Sequence, residues 1–253
     1  MPNTEKRLMI LIPSFNEEKN LPHVLDKLLV EKTGLEKNGW HIDILIINDG
    51  SVDNTEKIAR QKGAQVVTLP INLGYGAALQ TGFKVARELN YDAVFCMDAD
   101  GQHRPEDLQT MMNVFIREPF QVILGSRFIT NTGYKSNLFR KMGITLFSFV
   151  LKLLCGKKIA DVTTGLQLLD KRVYYLLAEE YPHDFPDTQV LLLLSLVGYE
   201  IKEVPVTVKQ RVFGKSMHSS IISIFYPLRN SLAIIITLLR IAQIRRDYKK
   251  MGD

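Results

Sequence analysis

Short apolar runs alternate with stretches of helical period along the first half of the chain, and polar or glycine-bearing loops separate them. Leu8-Met9-Ile10-Leu11-Ile12 is a five-residue apolar run, the length of a buried strand, and Pro13-Ser14-Phe15-Asn16-Glu17-Glu18 leads from it into a predicted helix near Leu21–Val30. Ile42–Ile47 is the second predicted strand, closed by Asn48-Asp49-Gly50-Ser51. Asp53 is placed to cap the next helix, with Glu56 three residues on as its capping-box partner. Ala64–Thr68 predicts a third strand, Asn72-Leu73-Gly74-Tyr75-Gly76 opens another helix, and Ala93–Met97 and Gln121–Gly125 predict strands four and five. Strands alternating with helices of roughly 10–15 residues imply an α/β fold, a mainly parallel sheet with helices on both faces.

In such a sheet the loops beyond the carboxyl ends of the strands share one edge, where ligands bind. Glu17, Asp49, Asp98, Asp100 and Arg127 are therefore expected to converge although they lie far apart in sequence. The most telling of these loops is Asp98-Ala99-Asp100-Gly101-Gln102-His103, which follows the fourth strand directly. Two carboxylates one residue apart, with the Gln102 amide oxygen close by, form a hard-oxygen set suited to Mg²⁺ or Mn²⁺ bridging nucleotide phosphates. A plainer reading is a polar loop leading into a helix whose first turn is Pro105-Glu106-Asp107. Gly74-x-Gly76 lacks a third glycine, since Leu79 stands there, and reads as a tight turn with close packing rather than a dinucleotide site.

Composition narrows the class. With 253 residues, 46% hydrophobic and 23% charged, the chain is globular and long enough for one α/β domain with an appendage. Cys96 and Cys155 sit in apolar segments and read as reduced, buried thiols, and the five histidines have no ligand spacing, so zinc is not expected. Leu8–Ile12 is too short for a signal peptide. The net charge of +5 is unevenly placed. Arg127–Lys158 and Val204–Arg246 hold seven basic residues each and no acid, and both are rich in Leu, Ile and Phe. Basic residues bordering apolar stretches fit an anionic membrane surface, whereas nucleic-acid binding would interleave them with polar and aromatic groups. Nucleic acid is therefore not an expected partner. A pair of ordinary core helices with solvated lysines is the simpler alternative.

Pro13-Ser14-Phe15-Asn16-Glu17, Asn48-Asp49-Gly50-Ser51-x-Asp53, Asp98-Ala99-Asp100-Gly101-Gln102-His103-x-Pro105-Glu106 and Gly125-Ser126-Arg127 resemble, in order and spacing, the inverting glycosyltransferases of family 2. Asp161-Val162-Thr163-Thr164-Gly165, Glu203-Val204-Pro205-Val206 and Arg211-x-x-Gly214-x-Ser216 look like the branch that acts on polyprenyl phosphates. The resemblance implies a GT-A fold over residues 1–218, with a donor half of about 1–130 and an acceptor half of about 131–218. By the same likeness Pro13, Phe15, Glu17, Ile47 and Asp49 would hold the base and ribose of a UDP- or GDP-sugar. Asp98 and Ala99 would line the donor pocket, Asp100 and Gln102 would coordinate the metal, and Arg127 and Arg211 would neutralise phosphates. Phe15 stands where the family usually has Tyr, and Asn48 replaces the first acid of Asp-Asp-Gly-Ser. Met217 takes the place of a frequent Lys, whose charge Lys215 would supply.

Asp98, Asp100 and Arg211 are thus the expected catalytic residues of a sugar transfer in which a diphosphate leaves and the anomeric centre inverts. A saccharide hydroxyl as acceptor would need a carboxylate base, for which Asp161 and Asp187 are the candidates. A lipid phosphate would not, because it is already ionised near neutral pH. Asn137–Cys155 and Ser219–Gln243 are read as amphipathic interfacial helices, the latter within a basic, apolar tail over 219–253. The expectation is a peripheral enzyme on the cytoplasmic face of a membrane, working alone, as a homo-oligomer or with a membrane-protein partner. Polysaccharide synthesis is the competing activity, and a non-catalytic nucleotide-sugar binder the competing class.

Overall fold

The computed structural model describes residues 5–37, 39–129, 138–182, 186–208 and 235–241. Their strands are β1 (Lys6–Ser14), β2 (Trp40–Asn48), β3 (Gln65–Thr68), β4 (Ala93–Cys96), β5 (Val122–Ser126), β6 (Gln167–Asp170) and β7 (Ile201–Pro205). The helices are α1 (Leu21–Glu36), α2 (Thr55–Gln61), α3 (Tyr75–Glu88), α4 (Asp107–Arg117), α5 (Leu138–Cys155), α6 (Lys171–Glu180) and α7 (Pro186–Val197). Residues 235–241 are also helical.

The strands form one sheet in the order β3-β2-β1-β4-β6-β5-β7. β1 is parallel to β2 and β4, β2 to β3, and β5 to β7. The apolar runs explain this arrangement. A strand covered on both faces has no polar face to show, and β1 buries every residue from Leu8 to Ile12 completely. Alternate side chains then enter two cores. Met9, Leu11, Leu45, Ile47, Val94 and Cys96 pack with α3, α5, α6 and α7 on one face. Leu8, Ile10, Ile12, Ile44, Ile46 and Phe95 pack with α1, α2 and α4 on the other.

β6 runs against the grain, antiparallel to both β4 and β5. With two buried leucines between Gln167 and Asp170 it lacks the apolar run that marks its neighbours, and the hydrophobic pattern did not predict it. Its direction matters for the site. The parallel strands deliver the loops that follow them to one edge of the sheet, while the reversed β6 delivers the segment that precedes it, residues 161–166, to that same edge. Asp170 then ends β6 and caps α6, its Oδ1 accepting from the Val173 N–H at 3.0 Å.

The capping box expected at α2 is not formed. The N-cap is Asn54, and Asp53 accepts from the N–H groups of Thr55 and of Glu18, the latter across the loop after β1. Glu56 turns instead to Arg60 and to the Thr68 hydroxyl. A short helix pressed between two strand-end loops uses its acids to fasten those loops.

Candidate active site

At the sheet edge the loops after β1 and β2 are sewn together. Asn16, in the left-handed region at φ 55°, donates its N–H to Ser51 Oγ at 2.9 Å and accepts from the Val52 N–H at 3.0 Å. Glu17 donates its N–H to Thr55 Oγ1, and its carboxylate accepts from Asn20 Nδ2 at 2.6 Å. Pro13 and Ile47 are buried beneath, while Phe15 keeps 42% of its surface exposed at the rim. The result is a pair of loops cross-linked by side-chain hydrogen bonds, with one aromatic ring exposed at their rim.

Asp49 is only 4% exposed, and its carboxylate accepts the N–H groups of Leu73 at 2.7 Å and Gly74 at 2.9 Å. The acid expected to meet base or ribose therefore clasps the loop that opens α3. Gly50, at φ +69°, makes that clasp possible. A Cβ there would lie 2.5 Å from the Ile71 carbonyl carbon and 2.6 Å from the Asn72 nitrogen, so any side chain would drive the two loops apart.

The Asp98–Gln102 turn follows β4. Gly101, at φ 75°, lets the chain reverse, and Asp100 Oδ1 accepts from the Gln102 N–H at 3.0 Å, which presents both acidic side chains on one short arc. The Asp98 side chain keeps 33% of its surface exposed. Ala99 is buried between the two acids. The Asp98 N–H donates to Nδ1 of His103, a ring 8% exposed, which puts the proton of the neutral imidazole on Nε2. With Nδ1 acting as an acceptor, its 3.7 Å separation from Asp98 Oδ2 is proximity rather than an ion pair.

Two further neighbours aim Asp98, and neither was among the expected site residues. Tyr75, the first residue of α3, donates its hydroxyl to Asp98 Oδ1 at 3.2 Å. Gly165 passes so close that a Cβ would lie 2.9 Å from the Tyr75 hydroxyl and 3.1 Å from each Asp98 oxygen. The clue to Tyr75 in the sequence is its place directly after Gly74, at the mouth of a helix. Gly165 is visible only as part of the Asp161–Gly165 motif, because the reversed β6 is what carries it here.

Arg127 and Asp161 form a buried pair, with side chains 10% and 0% exposed. The guanidinium meets the carboxylate through Nε at 2.7 Å and Nη2 at 2.7 Å, and Nη2 also donates to Thr163 Oγ1 at 2.8 Å. Glu203 of β7 fastens the same loop from behind, accepting from the N–H groups of Ala160 at 2.8 Å and Asp161 at 2.9 Å. The donors of Arg127 expected to neutralise phosphate are thus turned to the 161–163 loop. Asp161, one of the two carboxylates considered as base, is sealed beneath that arginine. Arg211 and Lys215 lie outside the described residues, and so does the side chain of Asp187.

The donor set suits a divalent ion. Asp98, Asp100 and Gln102 offer oxygen ligands on one turn, and among the described residues no group of three or more His, Cys, Asp or Glu side chains is arranged as a metal cage. A site with so few protein ligands matches a Mg²⁺-like ion whose shell is completed by substrate phosphates and water.

A mainly parallel sheet with one reversed strand, an exposed aromatic ring beside the cross-linked loops after its first two strands and a paired-acid turn after the fourth fit a glycosyltransferase. The chain belongs to glycosyl transferase family 2, whose model matches residues 9–176. It is 29% identical over 222 residues to the UDP-N-acetylglucosamine–dolichyl-phosphate N-acetylglucosaminyltransferase of Methanococcus voltae, covering 80% of this chain and 85% of that protein. It is 24% identical over 246 residues to the undecaprenyl-phosphate 4-deoxy-4-formamido-L-arabinose transferase of Photorhabdus laumondii, covering 95% and 70%. Glucosyl-3-phosphoglycerate synthase from Mycobacterium tuberculosis shares the GT-A architecture. Its complex with UDP superimposes with a TM-score of 0.66 at 18% identity, over 93% of this chain and 80% of that one. Another of its structures holds Mn²⁺, UDP and glucosyl-3-phosphoglycerate.

Proposed function

We propose that this protein transfers a sugar from a nucleotide diphosphate donor to a polyprenyl phosphate at a membrane surface, with Mg²⁺ or Mn²⁺ and with inversion at the anomeric carbon. What supports the acceptor most is the pair of relatives named as dolichyl-phosphate and undecaprenyl-phosphate transferases, matched over 80% and 95% of the chain. The uridine nucleotide in the first relative's name makes UDP the first base to test, with GDP second.

The chain's own residues divide the work. Phe15 offers a face for the base, and the stitched loops around Asn16, Ser51 and Asp49 hold that rim in place. Asp98 and Asp100 supply the charges that draw a cation and its diphosphate to the turn, while Tyr75, His103 and Gly165 fix where Asp98 points. A divalent ion bound there supplies Lewis-acid stabilisation of the charge that grows on the departing diphosphate. Arg211 and Lys215 are the proposed cationic partners of those phosphates. The phosphate of the acceptor attacks from the opposite face as an oxyanion, so no side chain has to take a proton from it. The burial of Asp161 under Arg127 agrees with that economy, since a saccharide hydroxyl would ask for an accessible carboxylate.

The test is an acceptor panel. Purified protein with Mn²⁺ and a series of UDP- and GDP-sugars is offered polyprenyl phosphate, the unphosphorylated polyprenol, and soluble oligosaccharides. Transfer to the lipid phosphate alone is expected. Transfer to an oligosaccharide with the lipid phosphate inert would favour polysaccharide synthesis, and would make Asp187 the first carboxylate to examine as base.

A further inference from the structure

The outward side of α5 carries a feature that the donor site does not use. Phe147 and Leu151 are buried against the core, whereas Phe149 is 60% and Leu153 74% exposed, flanking Lys152. Phe149 and Leu153 are four residues apart on one helix, so their side chains are neighbours and make a joint apolar strip. Beside them lies an open groove of about 320 Å³, lined by Thr145, Ser148, Phe149, Lys152, Lys158 and Ala160. Ser148 Oγ donates to the Ile159 carbonyl at 2.5 Å and fastens α5 to the segment that forms the other wall.

The groove's charge is unbalanced in a way its neighbour's is not. Lys157 donates to the Tyr199 carbonyl and lies 3.5 Å from Glu200, so its role is structural. Lys152 and Lys158 are exposed, and among the described residues no carboxylate pairs with either. The stretch from Arg127 to Lys158 contains no acid at all. Two exposed lysines lining one groove, with Phe149 on its wall and Leu153 one helical turn further along α5, complement a ligand that is anionic at one end and apolar at the other.

We propose that this groove receives the phosphate head group of an anionic membrane phospholipid, with Phe149 and Leu153 entering the acyl boundary beside it. The inference rests on the membrane-surface reading above and assigns it a lipid subsite separate from the Asp98–Asp100 turn. It anchors α5 to the bilayer through the phospholipid matrix, not through the acceptor.

Vesicle flotation of the full chain tests this, using phosphatidylcholine alone and phosphatidylcholine mixed with phosphatidylglycerol. The double variant Lys152→Ala/Lys158→Ala should lose roughly tenfold or more of its partitioning onto the anionic vesicles, since each lysine near such a surface favours binding by about fivefold. Phe149→Ser should weaken binding to both kinds of vesicle. Sugar transfer by the double variant to a short-chain prenyl phosphate in phospholipid-free detergent should stay at the wild-type rate, and thermal melting should report an intact fold. Unchanged flotation of the double variant would overturn the inference. A fall in its detergent activity would also overturn it, by making the groove part of the acceptor site. Wild-type protein that floats in a lysine-dependent way but transfers no sugar to any prenyl phosphate would support the groove and count against the acceptor assignment.

Discussion

Asp100 projects from a loop and its loss leaves no core cavity, so Asp100→Ala should keep the native melting curve while turnover falls by at least about two decades, the scale of losing one preorganised transition-state stabiliser. Metal-dependent release of nucleoside diphosphate is the readout, and activity that survives the substitution or ignores EDTA would remove the metal role. Tyr75→Phe deletes only the hydroxyl that orients Asp98. One hydrogen bond to a charged group is worth about 1.5–3 kcal/mol when well buried, and with Asp98 part-exposed the lower end applies, predicting roughly a tenfold loss in kcat/KM. Gly165→Ala should act through the same carboxylate, displacing it by a few tenths of an ångström, and steady-state kinetics of the two variants should shift in parallel without a change in stability. The paired acids and Gln102 were legible in the sequence because they stand within five residues of one another. Tyr75 and Gly165 were not, since 23 and 67 residues separate them from Asp98 in a chain whose reversed strand could not be foreseen.

The elements behind these residues differ in how plainly the sequence declares them. β1, β2 and β4 contain the uninterrupted apolar runs Leu8–Ile12, Ile44–Ile47 and Ala93–Cys96 and were recognisable as buried parallel strands. β6 and β7 were not, because β6 holds only two apolar residues, Leu168 and Leu169, between polar ends, and β7, Ile201-Lys202-Glu203-Val204-Pro205, mixes charge into an edge strand where exposure permits it. That edge strand nevertheless holds the 160–163 loop through Glu203, which in turn frames the Arg127–Asp161 pair. Asp161→Ala would leave a buried guanidinium without its counter-charge and should cost about 3–5 kcal/mol, visible as a lower urea midpoint. A loss under about 1 kcal/mol would mean that the pair is not the loop's anchor. Nearer the start of the strands, Asp43 of β2 accepts from the Tyr91 hydroxyl at 2.5 Å and meets Arg7 at 3.4 Å and His41 at 3.3 Å. Burial pushes its carboxyl up, but the Tyr91 hydrogen bond and the charges of His41 and Arg7 together hold it below its ordinary value. A lowered folded pKa means that its stabilisation is present above the unfolded value of about 3.9 and is lost as pH falls through the lowered one. Asp43→Asn should therefore destabilise the protein near neutral pH, and the gap from wild type should close under strong acid in denaturation curves taken across that range.

At the scale of the whole molecule, the sheet edge gathers the loops that carry Phe15, Asp98 and Asp100 while α5 and the helix at 235–241 expose apolar side chains, among them Phe149, Leu153, Ile235 and Leu239. Among the described residues no helix is long and apolar enough to cross a membrane. The acid-free, basic character of those regions could be read directly from the chain, whereas their contact with a bilayer depends on which side chains folding leaves outside. The central claim is chemical: a sugar moves to a prenyl phosphate with inversion. The most direct measurement is the structure of the lipid product made from an α-linked UDP-sugar and polyprenyl phosphate, read by proton and phosphorus NMR. Inversion at the anomeric carbon predicts one β-glycosyl phosphodiester per nucleoside diphosphate released. A product with retained configuration, or sugar joined to a hydroxyl and not to the phosphate, would contradict it.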